Sequence, residues 1–115
     1  MEAQAAVARL KEVSRHVESA VIFDADGEPL GATSGADRAA RIAARASRIL
    51  GFVDEVEGDT LVTQVEAATA GGSLFVVREG NTAIAATTAP TPVIGLVMYD
   101  LRTCLRSLAQ ERAPV

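Results

Sequence analysis

Apolar residues return at helical spacing in three parts of the chain. In residues 3–16 and again in residues 36–53 they recur every three or four positions, which is typical of amphipathic helices. A third helix is predicted to have Thr91 as its N-cap and Pro92 at its first position, and to end at about Gln110. The residues that this last helix is expected to bury are Val93, Val97, Leu101, Cys104, Leu105 and Leu108.

Between the helices, apolar residues form short runs bounded by turn residues, which predicts strands. Three runs are apolar at consecutive positions, so both faces of those strands are predicted to be covered. Connections of hairpin length make the sheet antiparallel. The predicted fold is a single α+β domain over residues 1–115, an α/β/α three-layer sandwich in the order α-β-β-α-β-β-β-α with a frayed end at residues 111–115. The predicted strands are residues 20–23, 29–33, 61–67, 73–78 and 82–87.

Two of these strands have features of sheet edges. Pro29 has no backbone N–H to donate, which places the second strand at an edge. Gln64 and Glu66 make one face of the third strand polar, which indicates the opposite edge. This third strand has neither the proline nor the lysine that would discourage pairing with another chain.

The helix predicted over residues 36–53 has two sides without charged residues, both of which are expected to be covered. Wound at ~100° per residue, it places four arginines on one narrow stripe, an apolar arc toward its own sheet, and a third arc of small residues only. Small residues permit close approach of another helix, and a second copy of the chain is the simplest candidate. Together with the unprotected edge strand, this predicts a homodimer about a two-fold axis. The predicted interface residues are Ala40, Ala44, Ser47, Gly51, Leu61, Val62, Thr63, Gln64 and Val65, and the arginines predicted to bind a partner are Arg38, Arg41, Arg45 and Arg48.

The arginine stripe has two interpretations. It is either an ordinary solvated face or a contact surface, and mutual repulsion of ~0.2–0.5 kcal/mol per like-charged pair weighs against the first. Residues 54–59 are predicted to form an acidic connector, which in an antiparallel dimer would approach the arginines of the mate. This hypothesis fails if dimerisation is unchanged by salt and by the double substitution Arg38→Ala/Arg41→Ala. The arginines that the acidic connector does not approach would be available to an acidic partner protein.

Composition narrows the functional classes. The formal net charge of −4 argues against nucleic-acid binding, which usually needs a basic excess. One cysteine permits no internal disulfide, and the first residues show no secretory signal, so a cytoplasmic location is expected. Residues 81–99 lack charges, but four threonines and two prolines within them favour a strand, a break and a helix start over a membrane span.

The sequence offers no set of catalytic groups, so we expect no enzyme, cofactor or metal. Asp24-Ala25-Asp26-Gly27 resembles the start of a calcium loop, but position twelve would be Gly35 where a glutamate is needed, so a hairpin turn is the better interpretation. Cys104 lies on the apolar face of its predicted helix and is expected to be a buried, inert thiol. His16 falls near the end of the first predicted helix, where its positive form would interact with the helix dipole at the surface.

Several segments together resemble the Roadblock family, which includes dynein light chains and bacterial and archaeal regulators of Ras-like GTPases. The resemblance covers residues 10–109. It lies in the D-x-D-G turn after an apolar strand, the alanine-rich second helix and the G-L-V-x-Y-D-L-R opening of the last helix. It implies a profilin-like, five-stranded antiparallel sheet with helices 1 and 3 on one face and helix 2 on the other. It also implies dimerisation through the second helix and third strand, and in bacterial members a Ras-like GTPase bound on the paired second helices.

The leading prediction is a non-catalytic homodimeric regulator or scaffold for a Ras-like small GTPase. The alternative is an adaptor of the dynein-light-chain kind that binds a peptide or a larger assembly without affecting nucleotide hydrolysis. An enzyme and a small-molecule sensor are the remaining classes, and an alanine-rich core gives little indication of a ligand pocket.

Overall fold

Three helices and five strands make up the described part of the chain, in the order that the sequence predicts. The computed structural model describes the backbone of residues 2–59 and 62–112, and side chains as far as residue 108. The elements are α1 (Ala3–Val13), β1 (Val17–Asp24), β2 (Pro29–Ala32), α2 (Ala36–Glu57), β3 (Gln64–Thr69), β4 (Gly72–Glu79), β5 (Thr82–Thr88) and α3 (Ile94–Arg112).

The strands form one antiparallel sheet in the order β2-β1-β5-β4-β3. Its centre is β5, which pairs with β1 (Ala20 opposite Ala86) and with β4 (Val76 opposite Ala85). The two strands that lie at the edges, β2 and β3, are the two that the sequence indicates. The antiparallel sheet and both edge assignments are therefore confirmed.

Helices cover both faces of the sheet. Successive residues of a strand point to opposite faces, so Val21 and Phe23 of β1 join the core under α2, while Ile22 between them joins the core under α1 and α3. Phe75 and Val76 of β4 divide in the same way. Consecutive apolar positions are thus buried in two separate cores, and the predicted three-layer sandwich is confirmed.

The first helix is shorter than predicted. It ends at Val13, and Ser14 is its C-cap, with its N–H still donating to the carbonyl of Leu10. Val17 continues the helical spacing of apolar residues but pairs in β1 instead, because it is buried in the sheet opposite Thr88. His16 therefore lies between helix and strand, half-buried, and its predicted position at a helix terminus is wrong.

The second helix is longer than predicted and continues to Glu57, where Gly58 follows with a φ of 81°. Asp54, Glu55 and Glu57 thus belong to the helix, and the prediction of an acidic connector is wrong for these three residues. The reason is that neither glycine nor proline occurs between Val53 and Gly58, so the chain continues its hydrogen-bonded turns through the charged segment. Gly35 is the N-cap, without a side-chain hydrogen bond.

The last helix begins later than predicted, at Ile94. Thr91 has a φ of 57°, and the carbonyl of Val93 accepts the hydrogen bond from the N–H of Val97, so the predicted start at Thr91 and Pro92 is wrong. Val93 is 52% exposed because it precedes the helix, whereas the other five residues expected to be buried are buried. The helix reaches Arg112, and the rest of the predicted frayed end lies outside the described residues.

The third strand is displaced along the chain relative to its prediction. It begins at Gln64 and continues to Thr69, so Ala68 and Thr69 are added while Val62 and Thr63 precede it. Leu61 lies outside the described residues. Across the described part of the chain, no helix is long and apolar enough to cross a membrane.

Candidate functional site

The two edges of the sheet differ in whether another chain can reach them, and the β2 edge is closed. The side chain of Gln4 lies along it, since its Nε2 donates to the carbonyl of Ala32 over 2.8 Å and its Oε1 accepts from the N–H of Ala32 over 3.1 Å. Gly31 makes this possible: a Cβ at that position would lie 2.6 Å from the backbone carbon of Ala3. The amide of Gln4 thus occupies the place of a neighbouring strand, and Pro29 has no N–H to offer.

At the β3 edge, no strand among the residues that the structure describes pairs with the outer side of β3, and we call this edge open. The N–H of Arg78 donates to the carbonyl of Thr63 over 2.8 Å, so from the antiparallel register Val65 and Ala67 also exchange hydrogen bonds with β4. The residues between them direct their N–H and C=O groups away from β4, toward the open edge. These outward residues are Gln64, Glu66 and Ala68.

The face of β3 on the α2 side is also incompletely covered. The side chains of β3 on that face are those of Val65, Ala67 and Thr69, which alternate with Gln64, Glu66 and Ala68. Val65 is half-buried, whereas Ala67 and Thr69 are exposed. Leu74, which pairs with Ala67, is likewise half-buried at the margin of the core under α2. An uncovered sheet face thus lies directly beside an unpaired sheet edge.

The four predicted partner-binding arginines lie on the exposed face of α2. Ala39, Ala43, Ala46 and Leu50 attach this helix to the sheet and are at most 4% exposed. All four arginines of the stripe are exposed, and none forms an ion pair with any carboxylate among the residues described. The structure therefore presents four cations in a row that no carboxylate in the described ranges neutralises.

The same face of α2 becomes apolar toward its C-terminus. Phe52 is 67% exposed and Val56 70% exposed, and with the half-buried Ile49 they follow the arginines along the helix. An open hollow of about 500 Å³ lies here, lined by Arg45, Arg48, Ile49 and Phe52. Sequence reasoning missed Phe52 and Val56, although both fall on the projected line of the arginine stripe once the helix is extended to Glu57.

The predicted stripe of small residues is divided between two environments. Ala40 and Ala44 are exposed, whereas Ser47 and Gly51 line a cleft of about 340 Å³ together with the β1–β2 and β4–β5 turns. Ser47 lies close to the first of these turns, since a Cβ on Gly27 would be 2.9 Å from its Oγ. One flank of α2 therefore faces turns of its own chain, and the interface prediction for these residues stays a prediction.

The flank of α2 opposite the small residues is apolar. Ile42, like Val65 and Leu74, packs at the margin of the core under α2. Ile49 and Val56 continue this flank at intervals of seven residues. The apolar flank of α2 and Val65 of the edge strand β3 thus border the same core, on the same face of the sheet.

An ion pair fixes the C-terminal half of α2 to the sheet. Arg78 of β4 donates from Nη1 to Oδ2 of Asp54 over 3.0 Å and from Nη2 to Oδ1 over 2.6 Å. These hydrogen bonds, followed by that from the N–H of Val62, lower the pKa of Asp54 below its ordinary value. Glu55 and Glu57 remain in the last turns of α2, where negative charge is unfavourable to the helix dipole.

The remaining candidate groups have structural roles. Oδ1 of Asp24 accepts hydrogen bonds from the N–H groups of Asp26 and Glu28, which confirms the hairpin interpretation of this segment. Cys104 is buried as predicted, and burial raises the pKa of its thiol to about 11. Among the residues described, no three His, Cys, Asp or Glu side chains are grouped in a way that could hold a metal ion.

The family model of the Roadblock/LC7 domain matches residues 3–89. Comparison with curated proteins finds no match.

Three solved structures illustrate the similarity of fold. A Roadblock/LC7 domain from Streptomyces avermitilis superposes with a TM-score of 0.85 at 20% identity, over 96% of this chain and 98% of that one. MglB from Myxococcus xanthus gives 0.74 at 15% identity, over 93% and 91% of the two chains. The gliding protein MglB from Thermus thermophilus gives 0.69 at 18% identity, over 94% and 90%. At these identities the likeness concerns the fold.

Proposed function

Because this chain belongs to the Roadblock/LC7 domain family, we propose that it is a non-catalytic homodimeric regulator that binds a Ras-like small GTPase and modulates its GTP hydrolysis. The observation that carries this proposal is the open β3 edge beside the exposed face of α2, since together they offer one surface to a second copy and another to a partner. The family resemblance supports the GTPase as the partner of bacterial members, and two of the similar folds are MglB proteins.

The sheet supports a dimer formed through β3. Pairing of two β3 edges would satisfy the outward N–H and C=O groups of Gln64, Glu66 and Ala68 in each chain, which an isolated chain leaves to water. The β2 edge is unsuited to the same role, because Gln4 already occupies it. A β3–β3 contact makes one continuous sheet and places both copies of α2 on the same face of it.

The exposed flank of α2 supports the same arrangement. Ile49, Phe52 and Val56 are the apolar side chains that α2 would bury against the second copy, and full burial of such side chains is worth about 1.5–3 kcal/mol each. In an antiparallel pair, Glu55 and Glu57 near the end of one helix approach the arginines near the beginning of the other. The carboxylates of one helix would thus lie close to the arginines of the other, and each group would neutralise charge that a single helix leaves unpaired.

Sedimentation of the purified protein at micromolar concentrations tests the dimer. Ala68→Pro removes an outward N–H without removing a hydrogen bond to β4, so we expect it to sediment as a monomer. Ala68→Thr keeps the N–H and suits a strand, so as the matched control it is expected to remain a dimer. A monomeric parent protein, or an Ala68→Pro variant that dimerises as tightly as the parent, would refute the proposed dimer.

Binding to candidate small GTPases, each loaded with GDP or a non-hydrolysable GTP analogue, tests the regulatory role. Preference for the GTP form with faster hydrolysis supports the proposal, whereas binding that ignores the nucleotide indicates an adaptor. GTP hydrolysis by the purified protein alone would indicate an enzyme instead.

A pair of charge-matched variants tests the arginine surface. Arg45→Glu/Arg48→Glu reverses charge on α2, and Arg9→Glu/Arg15→Glu makes the same change in net charge on exposed residues in and just after α1. Only the first is expected to weaken GTPase binding, by at least about tenfold, since long-range repulsion alone would affect both variants alike. Equal effects of the two variants would contradict a role for the stripe.

A further inference from the structure

Arg78 connects the two elements of the proposed dimer surface. It lies in β4, its side chain is 18% exposed, and its guanidinium forms the two-pronged ion pair with Asp54 of α2. Nη2 also donates to the carbonyl of Val62 over 2.6 Å, just before β3 begins. A single planar group is thus bonded both to the last turns of α2 and to the chain that enters β3.

The contacts close into a ring. The N–H of Val62 donates to Oδ1 of Asp54 over 3.0 Å, so Asp54 and Val62 are bonded to each other as well as to the guanidinium. The N–H of Arg78 donates to the carbonyl of Thr63, which fixes the register of the next residue along. Moving α2 along the sheet, or sliding the entry to β3 past β4, would break several charge-assisted hydrogen bonds at once.

The position of this ring determines what it controls. Asp54 occupies the sheet-facing side of the same turns of α2 that expose Phe52 and Val56, and Val62 and Thr63 lead directly to the outward residues of β3. We propose that Arg78 is a positioning residue for self-association: it sets the exposed flank of α2 against the open β3 edge so that both meet a second copy simultaneously. This inference rests on the dimer of the proposed function.

An arginine is required for this task rather than any cation. Its fork can bond both oxygens of Asp54 and a third acceptor in one plane, whereas a lysine provides a single charged point with no fixed directions. Arg78→Lys therefore keeps the charge and loses the alignment. Since two contact surfaces must engage together, we expect the dimer dissociation constant to rise at least about tenfold in this variant.

The experiment compares dimer dissociation constants by sedimentation equilibrium for the parent protein, Arg78→Lys and Arg106→Gln. Arg106 pairs with Glu79 over 3.2 Å, but its side chain is 63% exposed and it contacts neither α2 nor β3, so its loss is expected to leave the constant unchanged. Circular dichroism establishes that each variant is folded at the concentrations used.

A second readout separates positioning from general stability. In the Ala68→Pro background, where dimerisation is removed, Arg78→Lys is expected to increase hydrogen exchange at Val62 and along β3 while the amides of β5 remain protected. If Arg78→Lys does not fold, Asp54→Asn removes one charge from the same ring and is expected to weaken the dimer in the same direction.

The outcomes distinguish the two proposals. A parent protein that is monomeric overturns the dimer and this inference with it. A dimeric parent whose dissociation constant is unchanged by Arg78→Lys and by Asp54→Asn overturns only the positioning role. Exchange that rises equally in β5 and β3 also overturns it, because that result indicates a general loss of stability.

Discussion

Replacement of Gly31 by alanine tests the close approach between α1 and β2. A Cβ at this position would lie 2.6 Å from the carbonyl carbon of Ala3 and 2.6 Å from the backbone nitrogen of Gln4. Both neighbours are backbone atoms, so no side-chain rotation relieves the contact. The start of α1 must move away from the edge strand.

The magnitude follows from the size of that movement. Ordinary contact begins near 3.4 Å, so α1 must retreat by roughly 0.8 Å, a strain that typically costs about 1–3 kcal/mol in a well-packed site. The same displacement pulls Gln4 from Ala32, and each of their two hydrogen bonds contributes about 0.5–1.5 kcal/mol. The new methyl group also lowers the conformational entropy of the unfolded chain, which stabilises the folded state by about 0.4–1 kcal/mol. These contributions together span about 1–5.6 kcal/mol, so we expect Gly31→Ala to lower the free energy of unfolding by about 3 kcal/mol.

Urea unfolding at one fixed protein concentration measures this difference, since the stability of the proposed dimer would depend on concentration. Gly95→Ala is the matched control: it lies within α3, its Cβ would meet nothing within 4 Å, and alanine there is expected to raise stability by up to about 1 kcal/mol. The same chemical change thus has opposite signs at the two sites. A Gly31→Ala variant within about 0.5 kcal/mol of the parent would refute the argument, because strain of this kind lies outside the range of ordinary surface substitutions.

Three further predictions concern titratable and buried groups. The hydrogen bonds from Arg78 and Val62 lower the pKa of Asp54 from 3.8, so its contribution to stability is complete above about pH 4 and is lost as the pH falls through its folded-state pKa. The stability deficit of Asp54→Asn relative to the parent protein should therefore be constant from pH 7 to about 4 and shrink below. A deficit that persists at the lowest pH at which both proteins fold would contradict this prediction. Cys104, buried with a pKa of about 11, should react with a disulfide reagent at pH 8 far more slowly in the native protein than in urea, and equal rates would show that the thiol is accessible. Phe75 is fully buried beneath α1 and α3, so Phe75→Ala should lower the free energy of unfolding, measured in urea, by about 3–5 kcal/mol. A decrease below about 1 kcal/mol would mean that the core collapses around the gap.

The elements that sequence predicted well are those whose pattern is repeated. Consecutive apolar residues in β1, β4 and β5 indicated strands covered on both faces, and the two cores confirm it. Pro29 and the polar face at Gln64 and Glu66 indicated the two edge strands, which the sheet order confirms. These features depend on residues adjacent in the chain, so they can be recognised without knowing what packs against what.

Element ends were predicted less well, because they depend on contacts beyond the element. Val17 continues a helical spacing and yet pairs in β1, since burial opposite Thr88 outweighs one further helical turn. Asp54 begins an acidic run that is typical of a loop, and yet it remains in α2, where its carboxylate pairs with the guanidinium of Arg78, 24 residues further along the chain. Local propensity is a weak constraint where a distant side chain supplies the missing partner.

For the candidate site, the sequence by itself determined the row of arginines on α2 and the absence of protective residues from β3, since both are read from spacing and composition. Only the tertiary structure decided that the β2 edge is closed, because Gln4 bonds to Ala32 across 28 residues of chain. It alone placed Phe52 and Val56 in solvent and joined α2 to β3 through Arg78. Each of these facts depends on which segments remote in sequence lie next to each other. Periodicity along one segment carries no information about such contacts.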